Sequence, residues 1–144
     1  MEKIPPTTFV RAAAWVPDDH DRPWEEAANL ASEWIWQRSQ EEETLPLLVT
    51  STLQNGRDIQ SLVEIAVTCG HATPRGKQRF IVGPVIAYLP DARTLDLATG
   101  LAYMHSLVVV ETARFPLLDW ATGAGAVNLL DMQSTTSVTA EKFK

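Results

Sequence analysis

Residues 84–110 read PVIAYLPDARTLDLATGLAYMHSLVVV, and the alternation inside this stretch decides the fold. Val85-Ile86-Ala87-Tyr88-Leu89 is apolar at every position, where a strand with one wet face would alternate. An unbroken run bounded by Gly83-Pro84 and Pro90 predicts a strand covered on both faces. Pro90-Asp91 then opens a helix. Asp91 is its expected N-cap, because a short carboxylate there can accept a first-turn N–H. Leu95, Ala98, Leu101 and Ala102 recur at helical spacing and form the inward face. Gly100 in that helix costs up to about 1 kcal/mol against alanine, and a close helix-to-sheet contact is the expected reason. His105-Ser106 makes the turn into Leu107 to Val110, a second run apolar throughout. Two strands buried on both faces and joined by a helix predict a parallel pair, whose crossover is usually a helix.

The same unit repeats upstream. Phe9 to Val16 reads as a strand with small alanines at its centre. Pro23 suits a first helical position, with Asp21 as its expected cap and Glu25 and Glu26 placed where the helix dipole favours anions. Ala27, Leu30, Ala31, Trp34 and Ile35 form the buried face of this helix, which is expected to run to about Gln40. Glu41-Glu42-Glu43 reads as a solvated loop. Leu47 to Thr50 is the next strand, and a helix capped by Asn55 carries Ile59, Leu62, Val63, Ala66 and Val67 before stopping at Gly70. Downstream, Pro116 starts a last helix through Trp120 and Ala121, and Val127 to Leu130 is a short fifth strand.

Four strand–helix alternations predict a three-layer α/β domain. Its sheet is mostly parallel, with about four or five strands and helices on both faces, a Rossmann-like arrangement. At 144 residues and 45% hydrophobic content, the chain suits one core. Residues 1–132 are expected to form one domain and 133–144 a loose tail. Twelve basic residues against eighteen acidic ones give a net charge of −6, which disfavours general nucleic-acid or anionic-membrane binding. No apolar run approaches the roughly 20 residues of a membrane span, and the start of the chain lacks the pattern of a secretory signal. A cytoplasmic protein is expected. Cys69 is the single cysteine and reads as a packed thiol.

Pro84 to Leu95 resembles strand–turn–helix segments of nucleotide-handling α/β domains, helicase-like ones among them. The likeness is confined to that local structure and names no family. No G-x-x-x-x-G-K-[ST] loop occurs, and Gly123-Ala124-Gly125 follows a helix instead of a strand, so neither a P-loop nor a dinucleotide fingerprint is present. No cofactor is implied.

In an open parallel sheet, ligands bind beyond the carboxyl ends of the strands. The turns there carry Arg22; Ser51, Asn55 and Arg57; Asp91 and Arg93; and Glu111 and Arg114. Convergent guanidinium groups would hold a phosphate or carboxylate; the competing reading pairs each arginine with a neighbouring acid. Asp18-Asp19-His20-Asp21 offers metal-ligand types, but consecutive residues cannot all face one centre, and a turn is the better reading. No metal site is assigned.

A basic connection, Arg75, Lys77 and Arg79, follows the helix ending at Gly70 and is expected at the amino edge of the sheet, as a candidate partner-contact loop. Five tryptophans, Trp24 and Trp36 outside the core faces among them, complete the case for a module that acts through a protein partner, itself included. The alternative function is binding or turnover of an anionic, nucleotide-like small molecule at the strand ends.

Overall fold

A computed structural model describes residues 10–19, 21–76 and 82–135. In chain order the elements are β1 (Ala12–Val16), α1 (Trp24–Glu42), β2 (Leu47–Val49), α2 (Gln60–Thr68), β3 (His71–Ala72), β4 (Val85–Tyr88), α3 (Ala92–Leu101), β5 (Ser106–Val110), α4 (Leu118–Ala124), β6 (Val127–Asn128) and β7 (Gln133–Ser134). All seven strands join one sheet in the order β3-β2-β4-β5-β1-β6-β7. Every pairing is parallel except the last, β6 with β7.

Alternate strand residues feed two cores. On one face, Ala14, Val16, Leu48, Ile86, Tyr88, Val108 and Val110 pack against Ala27, Ala31 and Ile35 of α1 and Leu62 and Ile65 of α2. On the other, Trp15, Leu47, Val49, Val85, Ala87, Leu107 and Val109 meet Leu95 and Ala98 of α3 and Trp120 and Ala121 of α4. This is why the strands are apolar at every position: successive side chains point to opposite faces, and both faces are covered.

The sheet is wider than the sequence suggested, with seven strands where four or five were expected. The additional ones are two-residue edge pieces too short to show a period. β3 lies inside the basic connection. Gly70, at φ +149°, reverses the chain directly after α2, and His71 and Ala72 then run parallel to Leu48 and Val49. The segment was expected to leave from the amino edge. A parallel strand instead carries it back to the carboxyl end, so Thr73–Arg75 emerges beside the turn that follows β2. Lys77 and Arg79 lie outside the described residues. At the far edge, Gln133 and Ser134 pair with β6, and Thr135 Oγ1 accepts from Trp15 Nε1 at 2.9 Å. The chain is therefore tied down through Thr135, beyond the point where a tail was expected to begin.

The helix ends also differ from expectation. Asp21 does not cap α1; Pro23 occupies that position without a side-chain cap. Asp19 forms the turn instead, its Oδ1 accepting from Asp21 N at 2.9 Å. Asn55 does not cap α2, which starts later, at Gln60. Val67 of that helix, assigned to the buried face, is solvent-facing.

Glu42 is not a solvated loop residue. It belongs to the last turn of α1, its side chain is 2% exposed, and it accepts from His105 Nδ1 at 2.7 Å and Ser106 Oγ at 2.5 Å. Asp91 does cap α3, accepting from Thr94 N at 2.9 Å and Thr94 Oγ1 at 2.7 Å. Gly100 has no close neighbour where a Cβ would stand, so tight packing is not what keeps glycine there. No helix among the described residues is long and apolar enough to cross a membrane.

Candidate functional site

Sheet order determines where the turns can meet. β1 and β5 are neighbours whose following helices, α1 and α4, go to opposite faces; β4 and β2 are likewise neighbours followed by α3 and α2 on opposite faces. Each such reversal splays the chain and opens a crevice at the carboxyl ends. β1 and β2 lie three strand spacings apart, about 14 Å. The candidate residues therefore fall into two groups.

Arg22, Glu111 and Arg114 belong to the β1/β5 end. There Glu111 spans the gap: its Oε1 accepts from Asp18 N and its Oε2 from Leu117 N, both at 2.7 Å. These are loop amides of the kind that would hold an exogenous anion, and this carboxylate already uses them. Arg22 is committed to Glu26 at 2.7 Å and to Asp19 at 3.8 Å, the local pairing weighed above. Arg114 is exposed in the turn after β5. His20 lies outside the described residues, and no group of three or more metal-ligating side chains occurs among those described.

Ser51, Asn55, Arg57, Asp91 and Arg93 belong to the β2/β4 end. The 50–59 turn folds over it. Gly56, at φ +84°, brings the backbone so close that a Cβ would stand 2.9 Å from Leu62 Cδ1 and 3.5 Å from Tyr88 Cδ2. Tyr88 beneath is buried, and that burial, with the nearby Asp58 charge, pushes its phenol up to about 12. Asp91 is occupied by its capping role, and its bonds to Thr94 hold its carboxyl below the usual carboxylate value. Arg93 sits exposed in the first turn of α3.

On the outer side of the 50–59 turn lies a cleft of about 340 Å³. Its walls are Leu48 of β2, Leu53 of the turn, and Leu62, Val63, Ala66 and Val67 of α2; its polar groups are Asn55, Arg57 and His71. Asn55 is fixed within the turn, donating from Nδ2 to Ser51 Oγ at 3.0 Å and accepting from Thr52 Oγ1 at 3.2 Å. Arg57 donates from Nε to Leu53 O at 3.0 Å. Its remaining nitrogens make no ion pair among the described residues.

His71 stands on β3 with Nε2 2.6 Å from Thr50 Oγ1. Burial, and secondarily the Arg57 charge, hold its imidazole below the ordinary histidine value. Burial raises the Cys69 thiol, which disfavours the thiolate a nucleophile needs.

Three of the residues expected at strand ends thus act together: Ser51 braces Asn55, and Asn55 and Arg57 line the cleft. His71, Thr50 and Leu53 were not among the expected ligand-site residues. His71 was visible as a polar residue beside a helix-stopping glycine, but only the β2–β3 register brings it to Thr50. A scan of protein-family models and searches of curated proteins and of solved structures each return no match.

Proposed function

We propose that this domain binds a small amphipathic anion in the cleft between the 50–57 turn, α2 and β3. The observation that carries the reading is the union of apolar walls with the unpaired guanidinium end of Arg57 in a space of about 340 Å³. Small-molecule sites take this form: concave, mostly apolar, with a few convergent polar groups and a perturbed titratable side chain. The anion pairs with Arg57 while an apolar body lies along Leu53, Leu62 and Val63. No reaction type follows from these residues. The Rossmann-like assignment belongs to the same proposal, supported by helices on both faces and crevices where the chain reverses direction across the sheet. So does cytosolic residence, with a single unpaired cysteine in its favour.

A thermal-shift screen of carboxylates, phosphosugars and nucleotides tests the reading. A ligand at a hundred times its dissociation constant stabilises by about 2.7 kcal/mol, a shift of several degrees for a domain of this size. Arg57→Gln should leave the unliganded melting temperature within a degree and abolish the shift. A panel with no stabilising member, or an unaltered shift in the variant, refutes it.

A second reading, a module that docks onto another protein or a second copy of itself, draws on the opposite end of the sheet. There segments 44–45, 82–83 and 101–104 meet: Gly83 N donates to Leu101 O at 2.9 Å, and a Cβ on Gly83 would stand 3.2 Å from Leu45 O. Leu45 is 60% exposed, Val82 37%, Tyr103 48% and Met104 58%. Contiguous apolar exposure of this kind marks contact surfaces. Trp24, at 41% exposure, stands at the other end, at the start of α1, and Trp36 is half-buried against the core. Light scattering across a concentration series checks the reading, with Met104→Glu expected to lower any associated mass. A concentration-independent monomer that retains no partner in pull-downs removes it.

A further inference from the structure

We propose that His71 supplies the hydrogen-bond acceptor of the cleft, through an unprotonated Nδ1, and thereby selects anions that also carry a hydroxyl or amide N–H donor. The proposal rests on the reading of the cleft as a ligand site and names the class of ligand it takes.

Counting protons fixes the tautomer. A threonine hydroxyl has one proton to give. Thr50 Oγ1 lies 2.5 Å from Thr52 O, which can only accept, and 2.6 Å from His71 Nε2. The proton goes to the carbonyl, so the contact with His71 is one in which Nε2–H donates and Thr50 Oγ1 accepts. Thr50 cannot swing away. It is fully buried, and its N–H donates to Ala72 O of β3 at 3.2 Å.

A neutral imidazole carries one proton. With Nε2 holding it, Nδ1 is left with a lone pair and has no partner among the described residues. Burial in the cleft wall and the neighbouring guanidinium favour this neutral form.

The other polar side chains of the cleft are less suited to that part. Arg57 has donors only. Asn55 has its amide nitrogen on Ser51 and its oxygen already accepting from Thr52 Oγ1, with one lone pair left. Among the lining side chains, His71 Nδ1 is the acceptor atom left with no partner among the described residues. A ligand that fills the apolar space and pairs with Arg57 but brings no donor strips water from Nδ1 and returns nothing. Sites that hydrogen-bond a ligand hydroxyl discriminate strongly for this reason.

Phenylacetate and its 2-, 3- and 4-hydroxy isomers are suitable probes, each pairing a carboxylate with an aromatic body. Calorimetric titration of the full chain should find at least one hydroxy isomer bound tenfold or more tighter than phenylacetate. In His71→Phe that advantage should vanish, through weaker binding of the hydroxy isomer, tighter binding of phenylacetate, or both. Nitrogen-15 spectra of the unliganded protein at neutral pH should show His71 with Nε2 protonated and Nδ1 bare, a readout independent of whether the variant folds. If all four compounds bind within twofold of one another, the cleft reading stands and the role of His71 is overturned. If none binds, the cleft reading falls and the inference with it. A proton on Nδ1 in the spectra overturns the inference directly.

Discussion

Truncation of Glu42 removes the contact that ties the end of α1 to the amino end of β5. Its carboxylate accepts from His105 Nδ1 and from Ser106 Oγ, with the Glu42 side chain 2% exposed and Ser106 fully buried. Glu42→Ala leaves two donors without an acceptor, one of them where water cannot reach. Hydrogen bonds to charged groups are worth about 1.5–3 kcal/mol each, and a buried donor left without an acceptor costs about 1–3 kcal/mol.

One effect opposes this. Glu42 sits in the last turn of a helix that has no basic residue there, and its removal relieves about 0.3–1 kcal/mol of dipole repulsion. The expected net loss is about 2–4 kcal/mol, a large share of the 5–15 kcal/mol typical of a domain. Glu42→Gln keeps an oxygen for His105 and offers an amide to a rotated Ser106 hydroxyl, so it should lose only about 1–2 kcal/mol.

Urea unfolding followed by tryptophan fluorescence reads both, as a fall in midpoint at constant slope; 2–4 kcal/mol corresponds to roughly 1–2 M urea. A cycle combining Glu42→Ala with Ser106→Ala should be non-additive by at least about 1 kcal/mol. A Glu42→Ala protein within 1 kcal/mol of the parent, or an additive cycle, would refute the clamp.

Other substitutions separate backbone from side-chain effects. Gly100→Ala should stabilise by up to about 1 kcal/mol, since nothing crowds the added methyl; Gly56→Ala should destabilise, because its φ of +84° and Leu62 at 2.9 Å both resist a side chain. Paired thermal melts check the opposite signs. Asp91→Ala should cost about 0.5–2 kcal/mol through loss of the α3 cap, and Asp91→Asn much less. Asp91 has its pKa lowered in the fold, so its contribution is full above the unfolded value of 3.8 and is lost as pH falls through the folded one; acid titration of the Asp91→Ala variant should show that loss missing. His71 has the opposite origin but the same direction: its folded pKa lies below 6.5, the unfolded chain binds the proton more readily, and stability should decline as pH falls from 6.5 towards the folded value, with Arg57 as the charged group facing the ring. Chemical melts of His71→Gln should lack that decline.

Features written locally were legible in the sequence. Residues 107–110 are apolar at each position, which only a doubly covered strand explains, and Asp91 announces the helix it caps. What stayed hidden depends on partners far away along the chain. Glu42 looks like one of three solvated acids until His105, 63 residues on, turns out to be its donor. His71 looks like part of a connection until the register of β3 brings it to Thr50. The strand-end arginines were identifiable, but their fates were not: Arg22 is held by its own turn, while Arg57 bonds Leu53 O through Nε and lines the cleft. Gly100 shows the limit of inferring packing from composition, since its neighbourhood is open.

The two borders of the sheet are a pair of residues long at either side, β3 at one and β7 at the other. A border so brief offers too few unpaired amides for a foreign strand to zip onto. Among the described residues, these borders are therefore poor templates for extending the sheet.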